Sequence, residues 1–287
     1  MRNLAAVPLA ACLVLLTSCA DGGRELTRDQ WAEQYSAYGI ALAVNRPDYG
    51  SGLLTDYSEA KNTLPTDAPS AVSVDLAPIP GGLGISPTTV TLTPDREGDF
   101  ELIGVSETAA TEVFHNGYLT GAGRSDQERR KVERFLDGLD KAVSNSGLDR
   151  RKFGIALIAE LEQPLTTREL ESAGLDSPAS RVLFPVIGPA DLPMSWSEDN
   201  CGALRTPACD GVDEVEQFRA WLKSLRPAQR QALTGRAFDL GKMQQAAADG
   251  RISGLMVDWI EPSGALEIVR NPRVSAAYIV GVVQLLT

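Results

Sequence analysis

The stretch KFGIALIAEL, residues 152–161, is apolar at nearly every position. A strand facing solvent on one side would alternate, so this pattern predicts a strand covered on both faces. LTTRELESAGL follows, where Thr166 and Glu169 stand at capping-box spacing, and then the second strand RVLFPVIG. The plan recurs near the C-terminus as the strand RISGLMVDWI (251–260), the short helix SGALEIVRN and the strand VSAAYIVGVV. Two β-α-β units, at 152–187 and 251–283, predict an α+β chain whose C-terminal part is a ferredoxin-like β-α-β-β-α-β sheet.

In the simple form of that arrangement a short hairpin joins the middle strands. Here the join is residues 188–250, a helical insertion. Val215, Phe218, Trp221, Leu222 and Leu225 mark a helix from about Val212 to Leu225, and Pro227 opens a second. The last unit, ISGLMVDWIEPSGALEIVRNPRVSAAYIV, resembles small extracytoplasmic modules in which strand, short helix and strand make half a ferredoxin-like sheet. Subtilase propeptides share that architecture. The resemblance covers about 30 residues and implies a fold without implying an activity.

Upstream, residues 27–148 form a smaller mixed helix and strand region, with the ferredoxin-like domain at 149–287. Thr27 is placed to cap a helix carrying Trp31, Tyr35, Tyr38 and Leu42 on one stripe, the signature of core packing more often than of a ligand face. AVSVDL, TTVTLTP and DFELIGVSE predict short strands, the latter two a hairpin. Residues 107–119 fit either a helix or a hairpin turning at Asn116-Gly117. RSDQERRKVERFLDGLDKAV predicts a helix capped by Ser125 and Glu128, with Val132, Phe135, Leu136, Leu139 and Val143 on its apolar face. Arg129, Arg130, Lys131 and Arg134 fall on the other face, a basic run read as solvated helix surface.

The N-terminus combines Met1-Arg2-Asn3 with 13 apolar residues from Leu4 to Leu16. As a helix that run spans roughly 20 Å, short of a bilayer core of about 30 Å, so it reads as an export signal. It ends in Leu16-Thr17-Ser18-Cys19, which resembles the lipobox of bacterial lipoproteins. The resemblance implies cleavage between Ser18 and Cys19 and a diacylglycerol thioether on Cys19. Two acyl chains hold a protein on a membrane where one is marginal. Residues 1–18 are then a signal peptide and 19–26 a lipidated tether, and the expected location is the outer side of the cell membrane. Arginine outnumbers lysine 21 to 6, the bias of a GC-rich bacterial genome.

Outside the cytoplasm, Cys201 and Cys209 in NCGALRTPACDG are expected to form a disulfide. Closing so small a loop would contribute about 2.5 kcal/mol on the chain-entropy estimate. Two cysteines without nearby histidine make a poor zinc site, and a catalytic dithiol would favour C-x-x-C spacing. SEDNC and CDGVDE lack the D-x-[DN]-x-[DN]-G order of a calcium loop.

A net charge of -11 opposes nucleic-acid binding, which needs clustered cations. His115 is the only histidine, so H-E-x-x-H and multi-histidine metal sites are excluded, and nothing local assembles a Ser-His-Asp triad around it. PIPGGLGISP, residues 78–87, lacks phosphate-loop spacing. No catalytic, cofactor or metal residues are therefore assigned. The expectation is a non-catalytic lipoprotein that binds a protein or a cell-envelope component through its globular part. A solute-binding component of a transporter is the alternative, and an enzyme with an unrecognised site a more distant one.

Overall fold

The computed structural model describes residues 28–49, 72–76, 88–94, 100–103, 108–115, 126–147, 152–176, 180–187, 192–197, 200, 211–234 and 238–284. In chain order the elements are α1 (Arg28–Asn45), β1 (Val72–Leu76), β2 (Thr88–Pro94), β3 (Phe100–Ile103), α2 (Ala109–Val113), α3 (Asp126–Asn145), β4 (Phe153–Leu165), α4 (Thr167–Ser172), β5 (Ser180–Leu183), β6 (Ser195–Trp196), α5 (Glu214–Ser224), α6 (Pro227–Ala232), α7 (Leu240–Asp249), β7 (Ile252–Ile260), α8 (Pro262–Arg270) and β8 (Val274–Gln284).

The protein is α+β. Its main sheet has five antiparallel strands in the order β6-β5-β7-β4-β8. β4, the KFGIALIAEL segment, lies between β7 and β8, and residues 154–161 are all buried. The covering on both sides explains why the segment carries no alternation. Each β-α-β unit has a strand of the other unit inserted between its own two: β7 separates β4 from β5, and β4 separates β7 from β8. A second sheet, β1-β2-β3, contains the expected hairpin, with Leu92 opposite Leu102.

Local chemistry sets the helix boundaries. Thr166 accepts the Glu169 backbone N–H at 3.3 Å, and the Glu169 carboxylate accepts the Thr166 N–H at 2.8 Å, so the capping box closes in both directions. These bonds from Thr166 hold the Glu169 carboxyl below its ordinary pKa, with the Arg251 charge a smaller contribution. Pro227 begins α6 as expected. α7 starts at the Asp239 cap and stops at Gly250, whose φ of 58° suits glycine. A β-carbon at Gly250 would also lie 2.4 Å from the Arg219 guanidinium. Arg219 itself donates to the carbonyls of Ala247 and Ala248, capping the end of α7 from α5.

The described residues of the stretch 188–250 contribute to the main core. Phe184, just after β5, packs against Phe218 of α5 with ring centroids 5.2 Å apart. Phe218 meets Trp196 of β6 at 5.1 Å, and Trp196 meets Trp221 at 5.7 Å. Contacts of this kind each contribute about 1 kcal/mol beyond the area they bury. The buried Trp196 indole donates to Gln217 Oε1 at 3.1 Å, which satisfies its N–H. β6 and α7 were not anticipated from sequence. β6 is only two residues long, too short to carry a periodicity, and is fixed by pairing with β5.

α1 is tied to the same core. Ser195 of β6 donates to the Ala43 carbonyl at 3.1 Å, and Tyr38 packs on Phe238 at 5.7 Å. Tyr38 and Leu42 are buried, as the stripe reading expected. Residues 109–113 take the helical option, with Thr108 and Thr111 forming the cap. α3 corrects one position: Leu136 and Val143 are buried, whereas Phe135, expected on the apolar face, is 49% exposed. At 100° per residue, Phe135 lies on the far margin of that stripe, and the sheet with α8 engages the Leu136 side.

Candidate functional site

β4 alternates across the main sheet. Ile155, Leu157 and Ala159 join the large core beneath α3, α8 and the insertion, while Ala156 and Ile158 face a smaller cluster with Leu183, Met256, Val280, Ala110 and Phe114. Register places Arg181, Met256, Ile158 and Tyr278 side by side across four strands on this second face. In the next row, buried Glu160 lies opposite Gly254 and Ala276, the two smallest neighbours available to it.

Charged groups concentrate at the margin of this second face. Arg181, 3% exposed, donates through Nε and Nη2 to Asp258 Oδ2 at 3.3 and 2.9 Å and through Nη1 to the Tyr49 carbonyl at 2.9 Å. Beside it, the Arg46 guanidinium forks onto Asp48 at 2.8 and 2.6 Å and lies 4.8 Å from the Tyr49 ring centre. Burial opposes the Arg46 cation, but the hydrogen bond and charge of Asp48 outweigh it and raise its pKa above the ordinary arginine value.

Asp48 is fully buried, which requires that its oxygens be satisfied. Besides Arg46 it accepts from Thr111 Oγ1 at 2.6 Å and Thr108 Oγ1 at 3.3 Å. The same two threonines close the cap of α2. One carboxylate therefore joins the turn after α1 to the start of α2, and Tyr49 passes that connection to the sheet through Arg181. Chemically, the cluster sets carboxylates against guanidiniums and hydroxyls. That is the arrangement of a clasp: each donor is aimed at a protein acceptor.

Ser18, Cys19, Cys201 and Cys209 lie outside the described residues, so the cleavage site, lipidation site and disulfide receive no structural account. His115 follows α2 and is exposed. Among the described residues, no group of three or more His, Cys, Asp or Glu side chains is arranged to hold a metal, and no helix is long and apolar enough to cross a membrane.

Sequence reasoning assigned no role to Arg46, Asp48, Thr108, Thr111, Arg181 or Asp258. A signal was present: Asp258 and Glu160 interrupt otherwise apolar strands, and a charge in such a strand needs a partner. The partners are 77 residues away for Asp258 and 63 for the Asp48–Thr111 bond, a separation no local pattern encodes. Neither protein-family models, nor curated proteins, nor solved structures match this chain.

Proposed function

We propose that this protein is a lipoprotein held on the outer side of the cell membrane by diacylglycerol on Cys19, whose globular part binds a protein or cell-envelope component without catalysis. The observation that carries the reading is Leu16-Thr17-Ser18-Cys19 at the end of the 13-residue apolar run from Leu4 to Leu16. A cysteine at that position supplies the thiol for acylation, and the polar residues that follow separate the folded part from the bilayer. Residues 1–18 would be removed and 19–26 would serve as tether.

Within the folded part, β4, β5, β7 and β8 are proposed to form a ferredoxin-like unit, with 188–250 as its insertion and a Cys201–Cys209 disulfide bracing it. The order β5-β7-β4-β8, with α4 and α8 as the two crossings, supports this assignment. The clasp is compatible with a rigid binding body, since Asp48 and Arg181 direct their hydrogen bonds to neighbouring groups of the protein.

Mass spectrometry of the mature N-terminus tests the anchor. The expected species begins at an acylated Cys19; an unmodified chain released equally by wild type and Cys19→Ser would overturn it. Alkylation of the non-reduced protein should leave Cys201 and Cys209 unlabelled if they are bridged. Crosslinking on intact cells, followed by identification of the captured chain or polymer, tests the binding role. Turnover of a small substrate with no captured partner would displace the reading in favour of an enzyme.

A further inference from the structure

The outward face of α3 carries an unusual combination. At 100° per residue, Arg130, Lys131, Arg134, Phe135, Gly138, Lys141, Ala142 and Asn145 fall within an arc of about 140°, and all are exposed. Between Arg130 and Asn145 this arc holds four cations and no acid, in a chain of net charge -11. The acids of α3 lie on its flank: Arg270 Nε of α8 donates to Glu133 Oε1 at 2.7 Å, and Arg270 Nη2 lies 3.9 Å from Asp137. Lys141, at the margin of the arc, donates to Asp137 Oδ2 at 2.5 Å, which leaves Arg130, Lys131 and Arg134 as the cations that define the face. Arg129 turns the other way, donating to the Val274 carbonyl at 3.1 Å. Phe135 stands at the edge of the cationic arc, 49% exposed.

We propose that this face of α3 docks on an anionic phospholipid bilayer, with Arg130, Lys131 and Arg134 at the headgroups and Phe135 entering the interface. The inference rests on the lipid-anchor reading, which supplies the membrane. From Cys19 to Arg28 there are nine residue steps, so the folded part begins at most about 30 Å from the anchored cysteine. Tethering at that range raises the effective concentration to roughly millimolar, enough for a weak patch to be occupied.

Charge selects the orientation. The remainder of the molecule is more acidic than -11 once these cations are set aside, so other faces are repelled by anionic lipid while this one is attracted. Phe135 selects the occupant. A soluble polyanion would match the cations but offers no apolar layer for a half-exposed ring, whereas the bilayer interface receives both. Gly138 and Ala142, small residues inside the arc, let headgroups approach the helix closely.

The test uses the mature chain from residue 19, acylated and as Cys19→Ser, in flotation with vesicles. The Cys19→Ser chain should bind vesicles containing about 30% phosphatidylglycerol and not pure phosphatidylcholine. The triple variant Arg130→Ser, Lys131→Ser, Arg134→Ser should lower that partitioning roughly 100-fold, at about fivefold per cation near an anionic surface. Phe135→Ser should lower it about fivefold, since the ring is only half available. Both variants change exposed side chains, so unfolding curves should match wild type and exclude misfolding as the cause. No binding to anionic vesicles, or binding equal in the triple variant, would overturn the proposal. So would loss of vesicle binding to a soluble polyanion competitor combined with indifference to Phe135→Ser, which would mark a polyanion site. Wild-type protein isolated from cells without acyl chains on Cys19 would end the anchor reading alone; a Cys19→Ser chain whose α3 variants bind anionic vesicles as well as the Cys19→Ser parent would end this one alone.

Discussion

The two faces of the main sheet are held by different physics. On one, Ile155, Leu157 and Ala159 merge into a core that includes the Phe184, Trp196, Phe218 and Trp221 aromatics. That attraction is non-directional and scales with the area removed from water. On the other, a smaller apolar patch is bordered by Arg181–Asp258 and Arg46–Asp48, where angle and partner identity decide the energy. The first face should therefore respond to lost volume, and the second to a lost partner even when volume is kept.

The largest expected effect comes from the apolar face. Trp196→Ala removes a fully buried indole and strands the Gln217 carbonyl, and should cost about 4 kcal/mol in chemical denaturation. A cost below about 1 kcal/mol would show that the insertion contributes little to the core.

On the polar face, Asp48→Ala leaves Arg46 and two threonine hydroxyls without their carboxylate and should cost about 3 kcal/mol. The contrast with the first face sharpens in the double variant Arg46→Met, Asp48→Leu. It should recover much of that loss, because two apolar side chains need no partner. If single and double variants are equally destabilised, packing rather than pairing dominates here too.

Gly250→Ala should cost about 1 kcal/mol, since its φ of 58° disfavours a β-carbon and the Arg219 guanidinium occupies the space. Outside both faces, Thr166→Ala should cost about 1 kcal/mol through the lost cap. The partner residue gives this last effect a pH dependence. Glu169 has a lowered folded pKa, so its contribution is complete above the unfolded value of about 4.3 and fades as pH falls through the folded one. Denaturation midpoints of wild type and Glu169→Gln should therefore differ at pH 7 and converge in acid. A difference that persists at low pH would assign the effect to shape rather than charge.

Much of the fold was legible because the relevant signals are local. The largely apolar run of β4, the Thr166 and Glu169 cap, the Pro227 start and the β2–β3 hairpin are all written in residues close together in the chain. The clasp was not legible, because the Arg46–Asp48 turn, Thr111, Arg181 and Asp258 come from four separate segments. Nor could the pattern of α3 fix Phe135. Its position 100° from Leu136 allows either burial or exposure, and the choice depends on which flank the sheet and α8 occupy.

By itself, the sequence determined most of the strands and helices of the C-terminal half, though not β6 or α7, and that one of those strands is buried on both faces. Periodicity and caps act over a turn or less, so they are written in neighbouring residues. Only the tertiary structure decided the order β6-β5-β7-β4-β8, the packing of Trp196, Phe218 and Trp221 into the core, and the pairing of buried Asp48 and Arg181. Those outcomes depend on the surfaces that distant segments bury against one another, and burial is a property of the folded chain.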